Sequence, residues 1–341
     1  MTRAAAVAIT AVLVAVAAAC GGGDEKDAKK SSGSSSTTTT KTPPVAPLTG
    51  VPDPDGGAQT RPVLSIKVEN TPEARPQTGL ESADVVWNEV VEGEITRFLA
   101  MYQSRSTDVV GPIRSVRYTD PLIVWPVGGI FAFSGGAQGP LDAIEAAPVN
   151  AVDEEKVGDA MFRDSSRRAP HNLFGHPDQL WALGGTPVPP PPLFAYLKAG
   201  KAPLGTPAAS VSIAFKGRYS VGYTWDAASG AWMRSTEGRP FMSRASAQIA
   251  TQNVVILPVV YAGGVGKEGA EAQLVGQGTA TVLSGGTVTR GVWVRPDKSR
   301  PMRLQTSDGT QIRLVPGSTW VELPDVSYPV SVAPPAPPPG S

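Results

Sequence analysis

Residues 84–102 read DVVWNEVVEGEITRFLAMY, and this stretch decides how the first half of the chain folds. The run Asp84–Val91 is rich in β-branched and aromatic residues, which favours a strand over a short helix. A Glu-Gly-Glu segment at 92–94 follows, and Ile95–Tyr102 again has the composition of a strand. The stretch therefore predicts two strands separated by a short acidic segment.

Further strands and helices are predicted on both sides of this stretch. Val63–Val68 alternates and is β-branched, and Gly129–Ser134 is a short apolar run closed by glycines, so both indicate strands. Pro140–Ala147 and Pro177–Leu183 begin with proline and carry an acidic residue early, which is typical of helix starts. Residues 48–185 are therefore expected to form a mixed α/β unit.

The second half of the chain is predicted to be all-β over residues 210–325. Short apolar runs are separated by turn signals, which favours a small sandwich or barrel-like sheet. The predicted strands are Val211–Phe215, Ser220–Trp225, Ala231–Arg234, Val254–Tyr261, Ala280–Leu283, Val288–Arg295, Arg303–Gln305, Ile312–Val315 and Thr319–Leu323. The fold class is thus α+β, a mixed α/β unit followed by a small all-β unit. Residues 186–209 are proline-rich and indicate either a linker or a loop inside one larger domain.

The first twenty residues indicate export. Arg3 precedes an uncharged apolar run, 4–19, which is typical of a signal peptide and too short for a comfortable transmembrane helix. Small residues lead into Cys20, the single cysteine, as in a bacterial lipobox, so we expect lipidation at Cys20 by palmitate or a related acyl chain. Ala17-x-Ala19 also suits ordinary signal peptidase, and both alternatives cut before Cys20. The expected location is the extracytoplasmic face of the cell membrane.

Charge and composition limit the partners. Lys plus Arg and Asp plus Glu both total 30, which argues against nucleic acid as a partner and leaves local basic patches open. Residues 20–47 are polar and rich in Ser and Thr, as expected of a disordered tether, and 326–341 form a proline-rich tail. Two histidines five residues apart without a third ligand are a weak metal signal, so neither a metal nor a cofactor is expected.

Several strings in the first unit occur together in a distinctive order. They are Val68-Glu69-Asn70, Ala74-Arg75-Pro76-Gln77-Thr78-Gly79-Leu80, Ala83-Asp84-Val85-Val86, Val91-Glu92-Gly93, Thr96-Arg97-Phe98, Gly111-Pro112-Ile113-Arg114-Ser115-Val116-Arg117 and Ala169-Pro170-His171-Asn172-Leu173. Through them, and through strings such as Gly276-Gln277-Gly278 in the second unit, the chain resembles the YerB-type bacterial lipoproteins, in an actinobacterial-like form. The resemblance spans residues 48–325 and implies a two-part extracytoplasmic lipoprotein of a family with uncharacterised function. It implies no reaction.

Arginines are the first candidates for a binding site. Arg114 and Arg117 are three residues apart and would share one face if their segment were helical. Guanidinium groups bind carboxylates and phosphates through a bidentate fork, and envelope polymers and lipid head groups carry both. Arg97 and Asn70 are expected to line the same groove. The alternative is that the arginines pair with internal carboxylates, namely Glu89, Glu92 or Asp120.

Acidic residues and a histidine are the candidates for catalysis. Alternation along a strand would place Glu92 and Glu94 on one face and Glu89 on the other. Glu89 or Glu92, with His171 as a base near neutral pH, could carry out acid–base chemistry on an envelope glycan. Three functions therefore stand at this stage: a lipoprotein that binds an anionic envelope polymer or lipid, an envelope-glycan hydrolase or transferase, and a structural scaffold. The sequence leaves open whether the protein is an enzyme.

Overall fold

The computed structural model describes residues 44–184, 189–215 and 219–336. The strands are β1 (Leu64–Glu69), β2 (Val85–Val90), β3 (Thr96–Tyr102), β4 (Ile130–Phe133), β5 (Asn150–Asp153), β6 (Met161–Arg163), β7 (Leu173–Gly175), β8 (Thr206–Pro207), β9 (Ser210–Ala214), β10 (Ser220–Asp226), β11 (Ala231–Thr236), β12 (Arg239–Pro240), β13 (Ala250–Thr251), β14 (Asn253–Ile256), β15 (Tyr261–Ala262), β16 (Glu271–Ala272), β17 (Gly276–Ser284), β18 (Thr287–Arg295), β19 (Arg303–Gln305), β20 (Thr319–Leu323) and β21 (Val330–Ala333). The α-helices are α1 (Gly57–Thr60), α2 (Thr119–Val124), α3 (Gln138–Glu145) and α4 (Pro177–Ala182). Short 3-10 helices cover Pro72–Ala74, Leu80–Ser82, Glu92–Glu94 and Gly158–Ala160.

One large sheet runs through both halves of the chain. Its strand order is β19-β18-β17-β14-β20-β2-β3-β1-β4-β5, with β8 beside β18. β20 lies between β14 and β2 and is parallel to both, so a strand from the second half joins the two parts of the sheet. Every residue of β20 is buried, as expected of a central strand covered on both faces.

A second sheet contains only strands from the second half, in the order β12-β11-β10-β9-β21, with β13 beside β11. A buried polar cluster joins it to the large sheet. On β20, Glu322 accepts hydrogen bonds from Tyr223 Oη at 2.5 Å and from Asn88 Nδ2 on β2 at 2.6 Å. The guanidinium of Arg234 lies 3.7 Å from the same carboxylate and over the rings of Phe241 and other buried aromatic residues.

The fold class predicted from the sequence is confirmed: a mixed α/β first half is followed by an all-β second half. Most strands lie within one or two residues of their predicted bounds, and the two predicted helices correspond to α3 and α4. Two predicted strands differ. Residues 312–315 make only isolated bridges, and the strand predicted over 254–261 ends at Ile256 because Pro258 follows.

Two arrangements considered for the site residues do not form: a helical face shared by Arg114 and Arg117, and strand alternation through Glu89, Glu92 and Glu94. The segment from Arg114 to Arg117 is not helical, because its backbone is hydrogen-bonded to β1: Arg114 N donates to Lys67 O at 2.9 Å. Residues 92–94 form a 3-10 turn rather than part of a strand, and Gly93 there has φ +72°. Glu92 therefore leaves the sheet instead of alternating with Glu89.

Parts of the regions that the sequence predicted to be a linker or a tail contain buried residues and paired strands. Within residues 186–209, Leu193 and Phe194 are buried and β8 pairs with β18. Within residues 326–341, β21 pairs with β9. The predicted signal peptide, Cys20 and nearly all of the predicted tether lie outside the described residues.

Candidate anion-binding site

A row of charged residues crosses three neighbouring strands of the large sheet. Arg97 on β3 stands directly opposite Glu69 on β1 and directly opposite Glu89 on β2. Opposed residues of antiparallel strands project from the same face, so these three side chains share one side of the sheet. Lys67, two residues before Glu69, projects from that side as well.

Glu89 belongs to a fully buried ionic triad. Lys67 Nζ contacts Glu89 Oε1 and lies 2.7 Å from Asp120 Oδ1 on α2, and none of the three side chains is more than 1% exposed. Burial, and secondarily the charge of Asp120, raise the pKa of Glu89 to about 7, although Lys67 opposes this. Asp120 also accepts a hydrogen bond from the backbone N–H of Arg117 at 2.7 Å. The triad thus fixes the segment that carries Arg117, and Glu89 is enclosed away from solvent.

Arg97 is a buried cation with few partners. It is 6% exposed, and among the described residues its five N–H donors make one hydrogen bond, from Nη1 to the carbonyl oxygen of Ser115 at 3.1 Å. No carboxylate of the described chain lies within 4.0 Å of its guanidinium nitrogens. Burial, together with the charges of Arg117 and Arg114, lowers the pKa of Arg97 to about 10 against the weaker opposing charges of Glu92 and Glu69, so it stays protonated at neutral pH.

Arg117 lies beside Arg97. Its Nη1 donates to Val116 O at 2.8 Å and to Ser115 O at 3.4 Å, so the two arginines share the Ser115 carbonyl as an acceptor. Its Nε makes an ion pair with Glu92 Oε2 at 2.7 Å. Two like charges are therefore held side by side, and of the two only Arg117 has an ion-pair partner among the described residues.

These groups line a cleft of about 690 Å³. The polar wall of the cleft consists of Arg97, Arg117, Ser115 and Tyr118 together with the carboxylates of Glu92 and Glu268. A buried charge without a counterion is costly, and a carboxylate or phosphate in the cleft would supply one. The arrangement fits an anion.

Glu69 connects this cluster to the histidine. Its Oε1 lies 3.3 Å from Arg114 Nε, and its Oε2 lies 3.0 Å from His171 Nδ1. Thr71 Oγ1 also donates to Oε1 at 3.1 Å, and the carboxylate is 1% exposed. Glu69 was not among the site residues predicted from the sequence. Its carboxylate ends a strand whose alternation and β-branched residues indicate burial, and that was the available signal.

Asn70 lies next to the arginines but in a separate cleft. Its amide donates to Thr96 Oγ1 at 2.7 Å and to Tyr219 Oη at 2.8 Å, and it accepts from Gln77 Nε2 at 3.2 Å. With Arg75 and Tyr219, it lines a cleft of about 430 Å³. Its hydrogen bonds are made within the protein, which indicates a role in shaping the wall between the two clefts.

The structure brings some of the predicted residues together and separates others. Arg97 and Arg117 line one cleft with Glu92, and Arg114 is paired with Glu69, which stands opposite Arg97 in the sheet. His171 joins the group only through Glu69, and Glu89 lies beneath it in the buried triad. Within the described residues there is no group of three or more His, Cys, Asp or Glu side chains placed to hold a metal ion. Nor does that part of the chain include a helix long and apolar enough to cross a membrane.

The fold and the site together define a class, a mixed α/β unit with an arginine cluster joined to a β-rich unit through one sheet. Two family models match the two halves of the chain. The model described as "Protein of unknown function (DUF3048) N-terminal domain" matches residues 48–186, and that of the corresponding C-terminal domain matches residues 211–321. The chain belongs to this family, and the resemblance to YerB-type proteins is confirmed.

Two comparisons with YerB of Bacillus subtilis, one of sequence and one of structure, illustrate the relationship. A protein of Bacillus subtilis (strain 168) described as "Putative lipoprotein YerB" is 38% identical over 132 residues, which are 38% of this chain and 39% of that protein. The crystal structure of YerB protein from Bacillus subtilis is 25% identical, covers 84% of this chain and 99% of that chain, and superposes with a TM-score of 0.74. The similarity in fold therefore extends over nearly all of the solved relative.

Proposed function

We propose that this protein is a lipid-anchored extracytoplasmic protein that binds an anionic cell-envelope ligand in the cleft formed by Arg97 and Arg117, with Arg114 at its border. The observation that carries this proposal is the state of Arg97. A buried guanidinium with a neighbouring cation and no carboxylate within 4.0 Å needs a counterion, and the cleft beside it has room for one. Charge-assisted bidentate contacts would then hold a phosphate or carboxylate.

Anchoring through Cys20 is supported by the apolar run before that cysteine and by the lipoprotein description of the relative from Bacillus subtilis. The test is Cys20→Ala in cells that produce the full chain. We expect the wild type in the membrane fraction with an incorporated fatty-acid label. The variant should lack the label, and a variant that stays labelled would contradict lipidation at Cys20.

The hydrolase alternative has less support from the geometry. Glu89 is enclosed in the triad with Lys67, and Glu92 is paired with Arg117, so neither is the partner of His171. A scaffold without a ligand does not explain why Arg97 is buried with no ion-pair partner within 4.0 Å among the described residues.

Ligand binding is tested by retention of the full-length protein on purified peptidoglycan, on teichoic-type polymers and on anionic vesicles. We expect retention of the wild type on one of them and loss of at least tenfold in affinity for Arg97→Gln combined with Arg117→Gln, because each lost charge-assisted hydrogen bond contributes about 1.5–3 kcal/mol. The matched control is Arg239→Gln combined with Arg290→Gln, which makes the same charge change at exposed positions. Equal losses in both double variants would reduce the effect to net charge and contradict the proposal.

A further inference from the structure

A second basic cleft lies on the other side of Glu69. It has a volume of about 440 Å³ and is lined by Glu73, Arg167, Arg168, Ala169 and His171. The cleft therefore holds two guanidinium groups, one carboxylate and an imidazole. The guanidinium and carboxylate groups of this lining sum to a charge of plus one.

His171 is held in a fixed orientation in this cleft. Its Nδ1 faces the buried carboxylate of Glu69 at 3.0 Å. Among the described residues, Nε2 makes no hydrogen bond. A carboxylate on Nδ1 fixes the ring and its tautomer, and it leaves Nε2 for a ligand.

Arg167 is also held in place. Its Nη1 donates to Ala74 O at 3.0 Å and its Nη2 to Pro76 O at 2.8 Å, and its guanidinium carbon lies 5.5 Å from the ring centroid of Phe174. Burial lowers the pKa of Arg167. A cation fixed by backbone carbonyls loses little conformational entropy when an anion binds. Arg168 is exposed beside it and completes the basic wall.

We propose that His171, Arg167 and Arg168 form a second anion subsite, so that the ligand is a polymer with repeated anionic groups, such as a phosphodiester-linked chain. The proposal rests on the proposed function, because the first anionic group would occupy the cleft of Arg97 and Arg117. Glu69 links the two subsites: one oxygen contacts Arg114, and the other contacts His171. Two clefts that each contain a pair of arginines, one on either side of Glu69, fit a chain that passes over this carboxylate.

The charged groups that surround His171 come from several parts of the chain. They are Glu69 on β1, Glu73 on its 3-10 helix, and Arg167 and Arg168 on the loop of His171 itself. The two arginines of this loop supply the positive charge of the subsite.

The test measures binding of a short linear polyphosphate and of inorganic phosphate to the full-length protein in detergent, by calorimetry at a single pH. We expect Arg168→Gln to weaken polyphosphate binding about tenfold, the loss of one charge-assisted contact, and His171→Gln to weaken it about threefold, the loss of one neutral hydrogen bond. The affinity for inorganic phosphate, which needs one subsite, should change less than twofold in both variants.

Each contrary outcome has a separate meaning. Wild-type affinity for polyphosphate in both folded variants would overturn the second subsite while leaving the first intact. Arg168 is exposed, so its variant keeps the test valid if His171→Gln fails to fold. No binding of either probe by the wild type would count against the proposed function itself. Binding of phosphatidylglycerol vesicles, but not polyphosphate, that depends on His171 would overturn the polymer in favour of a membrane surface.

Discussion

Glu89→Gln tests how the buried triad responds to pH. The carboxyl of Glu89 is fully buried beside Lys67 and Asp120, and its pKa in the folded protein is raised from the usual 4.5 to about 7. The folded state therefore binds a proton at pH values where the unfolded chain has already released it. The stabilisation from this proton is complete below pH 4.5 and is lost as the pH rises through 7.

The size of the change in the free energy of unfolding follows from the shift in the pKa of Glu89. One pKa unit corresponds to about 1.4 kcal/mol, so a shift of this size changes the free energy of unfolding by on the order of 3 kcal/mol across the window. Glutamine keeps the shape of the protonated acid and has no proton to lose. We expect the wild type to lose on the order of 2–3 kcal/mol relative to Glu89→Gln between pH 5 and pH 7.5.

The assay is urea unfolding of both proteins at several pH values across that window. Burial also raises the pKa of Asp84, which lowers stability with rising pH in the same direction, but this contribution is common to both proteins and cancels in the difference. Glu155→Gln, at an exposed position, is the control. Parallel pH profiles for the wild type and Glu89→Gln, or a wild type that gains relative stability as the pH rises, would refute the account of the triad.

Two further predictions concern the core. Gly129→Ala should lower the free energy of unfolding by at least about 2 kcal/mol, since Gly129 has φ +82° and an added Cβ would lie 2.1 Å from Val63 O. The control Gly57→Ala should be nearly neutral, because a Cβ there meets nothing within 4 Å. Equal stability of the two variants in urea would contradict this prediction. Arg234→Met should cost about 3–5 kcal/mol, because it leaves the buried carboxylate of Glu322 without its cation; an unfolding midpoint equal to that of the wild type would show that Glu322 does not need this partner.

The local elements could be predicted because their signals are local. The alternation and β-branched residues of β1, β2 and β3 lie within each strand. In the same way, α3 and α4 each contain a proline in the first turn. The position of β20 could not be predicted in this way. Its parallel pairing with β2 joins residues more than two hundred positions apart, and no property of Thr319–Leu323 alone specifies that neighbour.

The candidate site was predicted in its residue types rather than in its geometry. Arg97, Arg114 and Arg117 were identifiable because arginine is the side chain suited to carboxylates and phosphates. Residues 114–117 do not form a helix, because the backbone of Arg114 is hydrogen-bonded to β1, and a side-chain spacing of three does not by itself specify a helix. Glu69 was missed because its contact with His171 joins residues 102 positions apart, which only the fold brings together.

Direct observation of an anion in the cleft tests the central claim. The measurement is a crystal structure of the protein soaked in selenate, with anomalous diffraction used to locate selenium. The account predicts an anomalous peak in the cleft with selenate oxygens within about 2.7–3.2 Å of guanidinium nitrogens of Arg97 or Arg117. The peak should be absent from Arg97→Gln combined with Arg117→Gln. Selenate found only at exposed arginines such as Arg239, with the cleft empty in the wild type, would contradict the claim that this site binds anions.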